Sequence, residues 1–575
     1  MNLIDLRIAN QSIDLTPGTA ITFEFNNPIF DTELIPGDFS YPFDVPLTPN
    51  NQKIFDFPNI IENKNDFKKS IPAQLFIKGI LWQEGIIKIR PSSQKKISIN
   101  FQSAAGSFTD LIKNKTLQDL ILGGERNYPT ITDIYIAGDE KFYPDSEYVR
   151  AVIHNFGFFG QDDLGPPQNG IGNYRLQNWG AGVSNGWHQG LGISETGTIM
   201  TFHPYFIYVL QQIFKEHNWK PTGTFLLDPD LQQLFIHSII SLNQPRGATS
   251  LSLYLNKALP KIPLSETLNS TKNLFCLGYI FDAVRKTVDI FPLKDILNSS
   301  EVEDITRKII SNEIIEQNDS DGFALSYSLD SNDALIENIK SLAGFTIKEP
   351  VEEIADLPTT GEADAVLRLV TSLNQYYKAT FNVDTEIYEW AFYSDNLFGF
   401  TIGNGTQKIE SGISTLPMTK IQQLFKTEGV QWLVPDANQK GQQSYFAPEA
   451  QDFNLRLLFY RGLQYNSTGG AVAELYPLAS SDVFDYAGNK IAKYSLRWDG
   501  DEGLYNMWWK PWIDFLSRTK KATYFQLYDV VDLFNISKKW KIFSRIKNSN
   551  FLKAKISITI TTSEIKPAKV DFYKK

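Results

Sequence analysis

The sequence predicts an α+β fold that is predominantly antiparallel β, with its strands interrupted by a few helix and hairpin units. Three stretches carry that reading. In FSYPFDVPL, Phe39, Tyr41, Phe43, Val45 and Leu47 alternate with Ser40, Pro42, Asp44 and Pro46, which is the two-residue period of a strand with one buried face. Ala73 to Gln102 holds short β-rich runs broken at Gly79, Gly85 and Pro91-Ser92-Ser93, as in an antiparallel meander. Towards the end, Leu552, Ala554, Ile556, Ile558 and Ile560 alternate with Lys553, Lys555, Ser557, Thr559 and Thr561. One face of that strand is expected to be buried and the other wet.

The prolines of the first stretch sharpen its placement. Strand residues four apart present their amides to the same side, and proline has no N–H to present, so Pro42 and Pro46 leave one edge unable to pair. Proteins use this device to stop a sheet from growing through its margin. Pro42 and Pro46 are therefore expected on an unpaired edge, with Tyr41 and Phe43 packed inward. The four residues are candidate interface positions.

A chain of 575 residues that is 42% hydrophobic can bury a large core and should divide into about three or four domains at roughly 150 residues each. The expected division is an N-terminal β domain at 1–105, an α+β domain at 106–300, a β-rich domain at 301–470 and a C-terminal α+β domain at 471–575. Within the second, Ser107 to Leu122 changes to a helical period. His203-Pro204-Tyr205 opens a helix with Phe206, Val209, Leu210, Ile213 and His217 on one face. Ser265 to Leu277 reads as another helix, feeding a hairpin in which Tyr279 and Phe281 face Val288 and Ile290. Asp356 to Glu362 reads as a linker punctuated by Pro358 and Gly361. Gly503 to Ser517 reads as helical, kinked or restarted at Pro511.

Phe156 to Gly197 carries 11 of the chain's 37 glycines and no sustained hydrophobic period. Such a long insertion with interleaved tryptophans reads as an ordered contact loop, and Trp179 and Trp187 are its candidate interface residues. No strand leads into it and no helix follows directly, so a nucleotide-binding glycine turn is discounted.

The formal charge is −10, which argues against nucleic-acid binding, because such proteins need a basic footprint to neutralise phosphates. The short basic pairs Lys95-Lys96, Lys520-Lys521 and Lys538-Lys539 read as solvated turns or strand starts. Aromatic residues make up 13% of the chain, a content that suits either a rich core or subunit contacts. A single cysteine, Cys276, excludes internal disulfides, and no signal segment or membrane-length apolar run is evident, so a cytoplasmic site of synthesis and assembly is expected.

The search for chemistry yields little. Five histidines, His154, His188, His203, His217 and His237, show no HExxH spacing, and one cysteine cannot build a multi-thiolate zinc site. Cys276 lies between Phe275 and Leu277 and reads as a packed, inert thiol. Asp499, Asp501 and Glu502 in RWDGDEG, and Asp319 and Asp321 in NDSDG, are the candidates for the paired carboxylates a glycosidase needs. Their interspersed glycines favour tight turns over catalysis. No catalytic residue, cofactor or metal is assigned.

NNPIF, SYPFDVPLTPNNQKIFDFP and AQLFIKGILWQEGIIKI, followed by HPYFIYVLQQIFKEHNW, GTFLLDPDLQQL, LFCLGYIFDAVRKTVDIFPLKDIL and YSLRWDGDEGLYNMWWKPWIDFL, together resemble tail structural proteins of tailed phages and prophages of Bacteroidota. The resemblance touches most of the chain and implies a baseplate or tail-tip hub, in which β-barrel-like domains form a ring that continues the tail tube. It further implies a homo-oligomer, a trimer being favoured, in contact with other tail proteins in the virion and with no enzymatic activity. A receptor- or carbohydrate-binding tail protein, with Trp179 and Trp187 stacking on sugar, is the alternative reading. A tail-associated cell-wall hydrolase using Asp499, Asp501 or Glu502 is a third.

Overall fold

The computed structural model describes residues 2–27, 39–57, 70–90, 95–128, 141–155, 157–158, 176–178, 201–241, 251–282, 284–300, 302–310, 314–316, 322–328, 333, 345–364, 366–370, 375–395, 399–403, 407–422, 431–442, 453–467, 475–536, 541–544 and 549–574. Strands dominate, most ladders are antiparallel, and helices are few and short. The fold class is the one the alternating stretches indicate.

The largest sheet has 14 strands and is assembled from distant parts of the chain. Ile71–Ile77, Ile80–Ile89 and Lys96–Ser103 form the expected meander, flanked by Ile4–Ile8. Ala20–Asn26 then pairs over its whole length with Ser549–Thr561, from Ala20↔Thr561 to Asn26↔Lys555. Ala568–Lys574, Lys520–Gln526 and Ile314–Glu316 continue the order. The Leu3 N–H donates to Thr562 O at 2.8 Å, so the sheet curls until its first strand meets the end of a late one. Phe23, Phe25, Ile87, Ile99, Ile556 and Ile558 are buried together inside the curl. The strands of the first 103 residues and those from Lys520 onward thus share one sheet and one core, whereas Tyr494, Trp498 and Trp508 belong to another.

A second core gathers around the helix Phe206–Lys215, whose Phe206, Val209, Leu210 and Ile213 are fully buried. The helix begins after Pro204, because His203–Pro204 forms a short ladder with Tyr148–Val149, and His217 lies beyond its last turn. The helix Leu264–Phe275 and the hairpin Leu277–Asp282 with Thr287–Pro292 pack beside it. Tyr279↔Ile290 and Phe281↔Val288 are in register as expected. A π-helical turn, Tyr505–Trp509, passes into the α-helix Lys510–Arg518 at Pro511, whose missing N–H leaves Met507 O free to accept from Lys294 Nζ at 2.7 Å.

Three local expectations are corrected. Gly85 does not break a strand; it lies within Ile80–Ile89 opposite Ser103. A Cβ built there would sit 1.9 Å from the Gln102 backbone oxygen, so the residue is small because two backbones approach. Gly85→Ala is expected to lower stability by about 1–3 kcal/mol through overpacking, measurable as a shifted denaturation midpoint, and an unchanged midpoint would contradict the close approach.

The second correction concerns Ser549–Thr561. A register shift between Lys553 and Lys555 turns Lys553 inward. It is buried, with Nζ 2.9 Å from Glu303 Oε2. Ala568–Lys574 follows this strand and pairs with it.

Third, residues 356–362 are not a loose linker. They follow a 3-10 turn, Ile354–Asp356, and run as a strap along the strand Ile387–Asp395. Thr359 O accepts from Tyr388 N–H at 2.8 Å, and Pro358 O accepts from the Trp390 indole N–H at 2.8 Å. The Glu362 carboxylate ties the strap down between Lys348 and Arg368.

Candidate functional site

Two places are candidates for a functional role: the margin formed by Phe39–Pro46, and the buried polar base that holds the ends of the glycine-rich stretch. At the margin, the expected single strand is two. Phe39–Ser40 bridges Ala20–Asn26 and Lys96–Ser103, whereas Phe43–Pro46 pairs only with Lys96–Ser103 among the described residues. Phe43 and Val45 are buried as expected. Leu47 N–H donates to Lys95 O at 3.0 Å, so by alternation Pro46 turns its donor-less nitrogen to the open side. Pro42 is exposed and lies between the two strands, outside any ladder.

Tyr41 corrects the expectation that it packs inward, for it is 45% exposed. The reason is polar. Glu24 stands on the outer face of Ala20–Asn26, where Lys555 approaches to 2.7 Å, and the Tyr41 hydroxyl donates to its carboxylate at 2.6 Å. Burial pulls the Glu24 carboxyl up, but the Lys555 and Tyr41 contacts outweigh it and hold the group below its usual range. Behind the margin, the TPNN turn is locked by Asn51, whose Nδ2 donates to Asp14 O and Pro46 O at 2.9 and 2.7 Å.

Trp179 and Trp187 lie outside the described residues, as do Asp319 and Asp321. The residues on either side of 179–200 are described, and they are held together. Asn178 Oδ1 accepts from Thr201 N–H at 3.0 Å, while its Nδ2 donates to Ala151 O at 3.0 Å. His203 Nδ1 accepts from Ser238 N–H at 3.1 Å, which leaves the proton on Nε2, 3.2 Å from Thr201 Oγ1. The neighbouring His237 places Nε2 3.1 Å from Gln177 Oε1, and its own backbone N–H donates to Arg456 O at 2.9 Å. Arg456 in turn meets Asp333 at 2.6 Å, both side chains only 2% exposed. Burial pushes the His203 imidazole down to about 3, and burial, with His203 and Arg456 adding to it, pushes His237 well below its ordinary value. Both rings are neutral supports for the place where the insertion leaves and re-enters the core.

In the carboxylate cluster, Asp499 and Glu502 are each paired with a cation. Asp499 is bound by Arg497 at 3.0 Å, Glu502 is engaged by Lys490, and Gly500 takes a positive φ of 82° in the turn between them. Cys276 is buried at a left-handed helix cap, and desolvation pushes its thiol up, away from reactivity. A cleft of about 660 Å³ beside Arg7, Gln74 and Leu111 has its charges spent on one another, Lys286 with Glu84 at 3.2 Å and Lys88 with Asp110 at 3.0 Å. Among the described residues, no group of three or more His, Cys, Asp or Glu could hold a metal ion, and no helix is long and apolar enough to cross a membrane.

No protein-family model and no curated protein sequence matches the chain. Solved structures similar to it include three tail proteins. The 43 kDa tail protein of prophage MuSo2 from Shewanella oneidensis has 7% identity and a TM-score of 0.32, with 100% of this chain and 96% of that one covered. The tail protein from Neisseria meningitidis MC58 has 9% identity and a TM-score of 0.30, covering 100% and 96%. The prophage tail protein gp18 from Listeria monocytogenes EGD-e has 8% identity and a TM-score of 0.31, covering 100% and 94%. A likeness this distant fixes neither function nor partner.

The polar base was not legible beforehand. Gln177, Asn178, Thr201, His203, His237, Asp333 and Arg456 are scattered across the sequence and share no spacing, and the only mark on them is that Gln177 and Asn178 fall within the glycine-rich stretch and Thr201 just beyond it.

Proposed function

We propose that this chain is a virion structural protein of a phage tail, a baseplate or tail-tip hub whose copies form a ring that continues the tail tube. The observation that supports this reading is where the tail-like segments fall. SYPFDVPL and AQLFIKGILWQEGIIKI build one curved sheet that passes through Phe39–Ser40 to Ala20–Asn26 and closes against the chain's late strands, while Pro46 leaves the short strand Phe43–Pro46 open on its outer side among the described residues. A subunit of a tubular wall needs a curved sheet that abuts neighbours without polymerising through open strands, and a proline margin provides that. The acidic balance of the chain, −10 overall, suits a lumen that lets DNA pass without gripping it.

Purified protein is expected to form rings by negative-stain imaging, with a solution mass that is a small multiple of 65.3 kDa. A trimer favours the hub and a hexamer a distal-tail adaptor. Protein that stays monomeric, and is missing from purified particles by mass spectrometry, overturns the reading.

A further inference from the structure

The strands Gly322–Tyr327 and Gly399–Gly403 are antiparallel neighbours, in register from Gly322↔Gly403 to Ser326↔Gly399. Strands paired this way need only a short turn between them. Here the chain builds, between the two, a sheet of Thr346–Ile347, Val366–Val370, Gln375–Asn382 and Ile387–Asp395, which shares no strand with any other sheet among the described residues. Its two ends meet, for the rings of Phe345 and Tyr393 lie 4.8 Å apart. Its buried Val366, Leu367, Val370 and Ala379 belong to none of the three main cores. A sheet with its own core, its ends together and set between adjacent strands of a host, has the anatomy of an inserted module.

The module's charge is as separate as its core. Phe345 to Asp395 hold ten Asp or Glu against three Lys or Arg, a net −7 of the chain's −10. The cations are engaged inside the module, Lys348 and Arg368 on Glu362 at 2.8 and 2.5 Å and Lys378 over the Phe345 ring at 5.6 Å. The long hairpin of Gln375–Asn382 and Ile387–Asp395 ends in an apolar tip. Phe381 and Ile387 fall on opposite faces of the ribbon, because Phe381 pairs with Tyr388 and Ile387 with Asn382. Both are exposed, and Val383 at the end is 77% exposed. Asn382 Oδ1 accepts from the Asp384 N–H at 2.9 Å, which sets the turn. Around it stand the exposed Asp384, Glu386 and Glu389.

We propose that this module is a docking arm, whose apolar hairpin tip enters a socket with a basic rim on a different polypeptide. The inference rests on the tail reading above. A ribbon tip that is apolar on both faces buries both only when it is inserted, since a flat surface would cover one and leave the other wet. The acids around the tip set the sign of the partner. The rest of the chain sums to −3, which gives an acidic arm no net attraction. The occupant is therefore another, basic protein and not a second copy.

Two experiments test the arm. In the first, a short Gly-Ser turn replaces Phe345 to Tyr393 in the full chain, and the melting transition of the remainder is expected to stay at the parent's temperature. Asp499, the body group that adds its charge to the burial around Tyr376, keeps its Arg497 partner without the module. A shortened chain that no longer folds overturns the inference. In the second, purified particles are treated with a carbodiimide, which joins a carboxylate to a lysine where the two touch. Asp384, Glu386 or Glu389 is expected to be joined to lysines of another polypeptide. Phe381→Ser with Val383→Ser is expected to cut that product by about tenfold or more, the usual effect of truncating buried anchors, while this chain stays in the particles. Acids joined only to lysines of this chain, or a product that survives the double substitution, overturn the arm and leave the tail reading standing. Particles that lack this chain remove the tail reading and the arm with it.

Discussion

Asp333→Ala is expected to destabilise the protein by about 3–5 kcal/mol, the usual consequence of removing one partner of a buried ion pair. The Arg456 guanidinium is 2% exposed and has the Asp333 carboxylate at 2.6 Å. Without that carboxylate it remains a charge in a poorly polarisable interior. The loss extends further, because Asp333 also accepts from the Asn438 N–H at 3.1 Å, and the Arg456 backbone supports His237. Urea denaturation followed by tryptophan fluorescence measures the effect. Replacing both partners by apolar residues, Asp333→Leu with Arg456→Met, is expected to recover much of it, since the cost lies in the unpaired charge more than in the lost attraction. A loss below about 1 kcal/mol for the single variant would show that the pair is not isolated from water.

Acid is expected to weaken the same region before it reaches the carboxylates. In the unfolded chain a histidine takes up its proton near pH ~6.5. Burial pushes folded His203 down to about 3 and folded His237 well below its ordinary value. Between those limits the unfolded state binds protons that the folded state refuses. The stabilising difference is therefore complete above pH ~6.5 and shrinks as the pH falls. At pH 5 the expected loss from His203 is about 2 kcal/mol, and His237 adds to it in the same direction. Glu24 and Glu303 are held low by their lysine partners, against the opposing pull of burial, so their own contribution disappears only in stronger acid. Urea midpoints measured between pH 7.5 and 5 should fall steadily, and His237→Gln should give a lower starting point with a shallower slope. Equal slopes for the variant and the parent would show that His237 is not the proton-linked group.

Local periodicity made much of this architecture readable. The hairpin register of Tyr279 with Ile290, the meander from Ile71 to Ser103 and the strand Val366–Val370 all follow from apolar spacing, which depends only on neighbours in sequence. The failures are of a different kind. Lys553 reads as wet because nothing nearby reveals a bulge, or that Glu303, 250 residues earlier, will receive it. Tyr41 reads as core because it keeps phase with Phe43, yet a carboxylate on another strand holds its hydroxyl outside. Gly85 reads as a break because the crowding that excludes a side chain comes from Gln102 on the adjacent strand. In each case the deciding group lies on another strand, beyond any local window. For the site, Phe43 and Pro46 were readable from counterphase alone, while the polar base beneath the insertion left no pattern to find.

The ladder between Ala20–Asn26 and Ser549–Thr561 also sets a clock. At ~5–20 residues per second, synthesis of the late strand trails the early one by on the order of half a minute to two minutes. Throughout that interval Phe23 and Phe25 await Ile556 and Ile558, and the nascent chain cannot complete the wall it began. The closed sheet therefore arrives only with the last tenth of the polypeptide, and a chain terminated before it lacks the strand that covers Phe23 and Phe25.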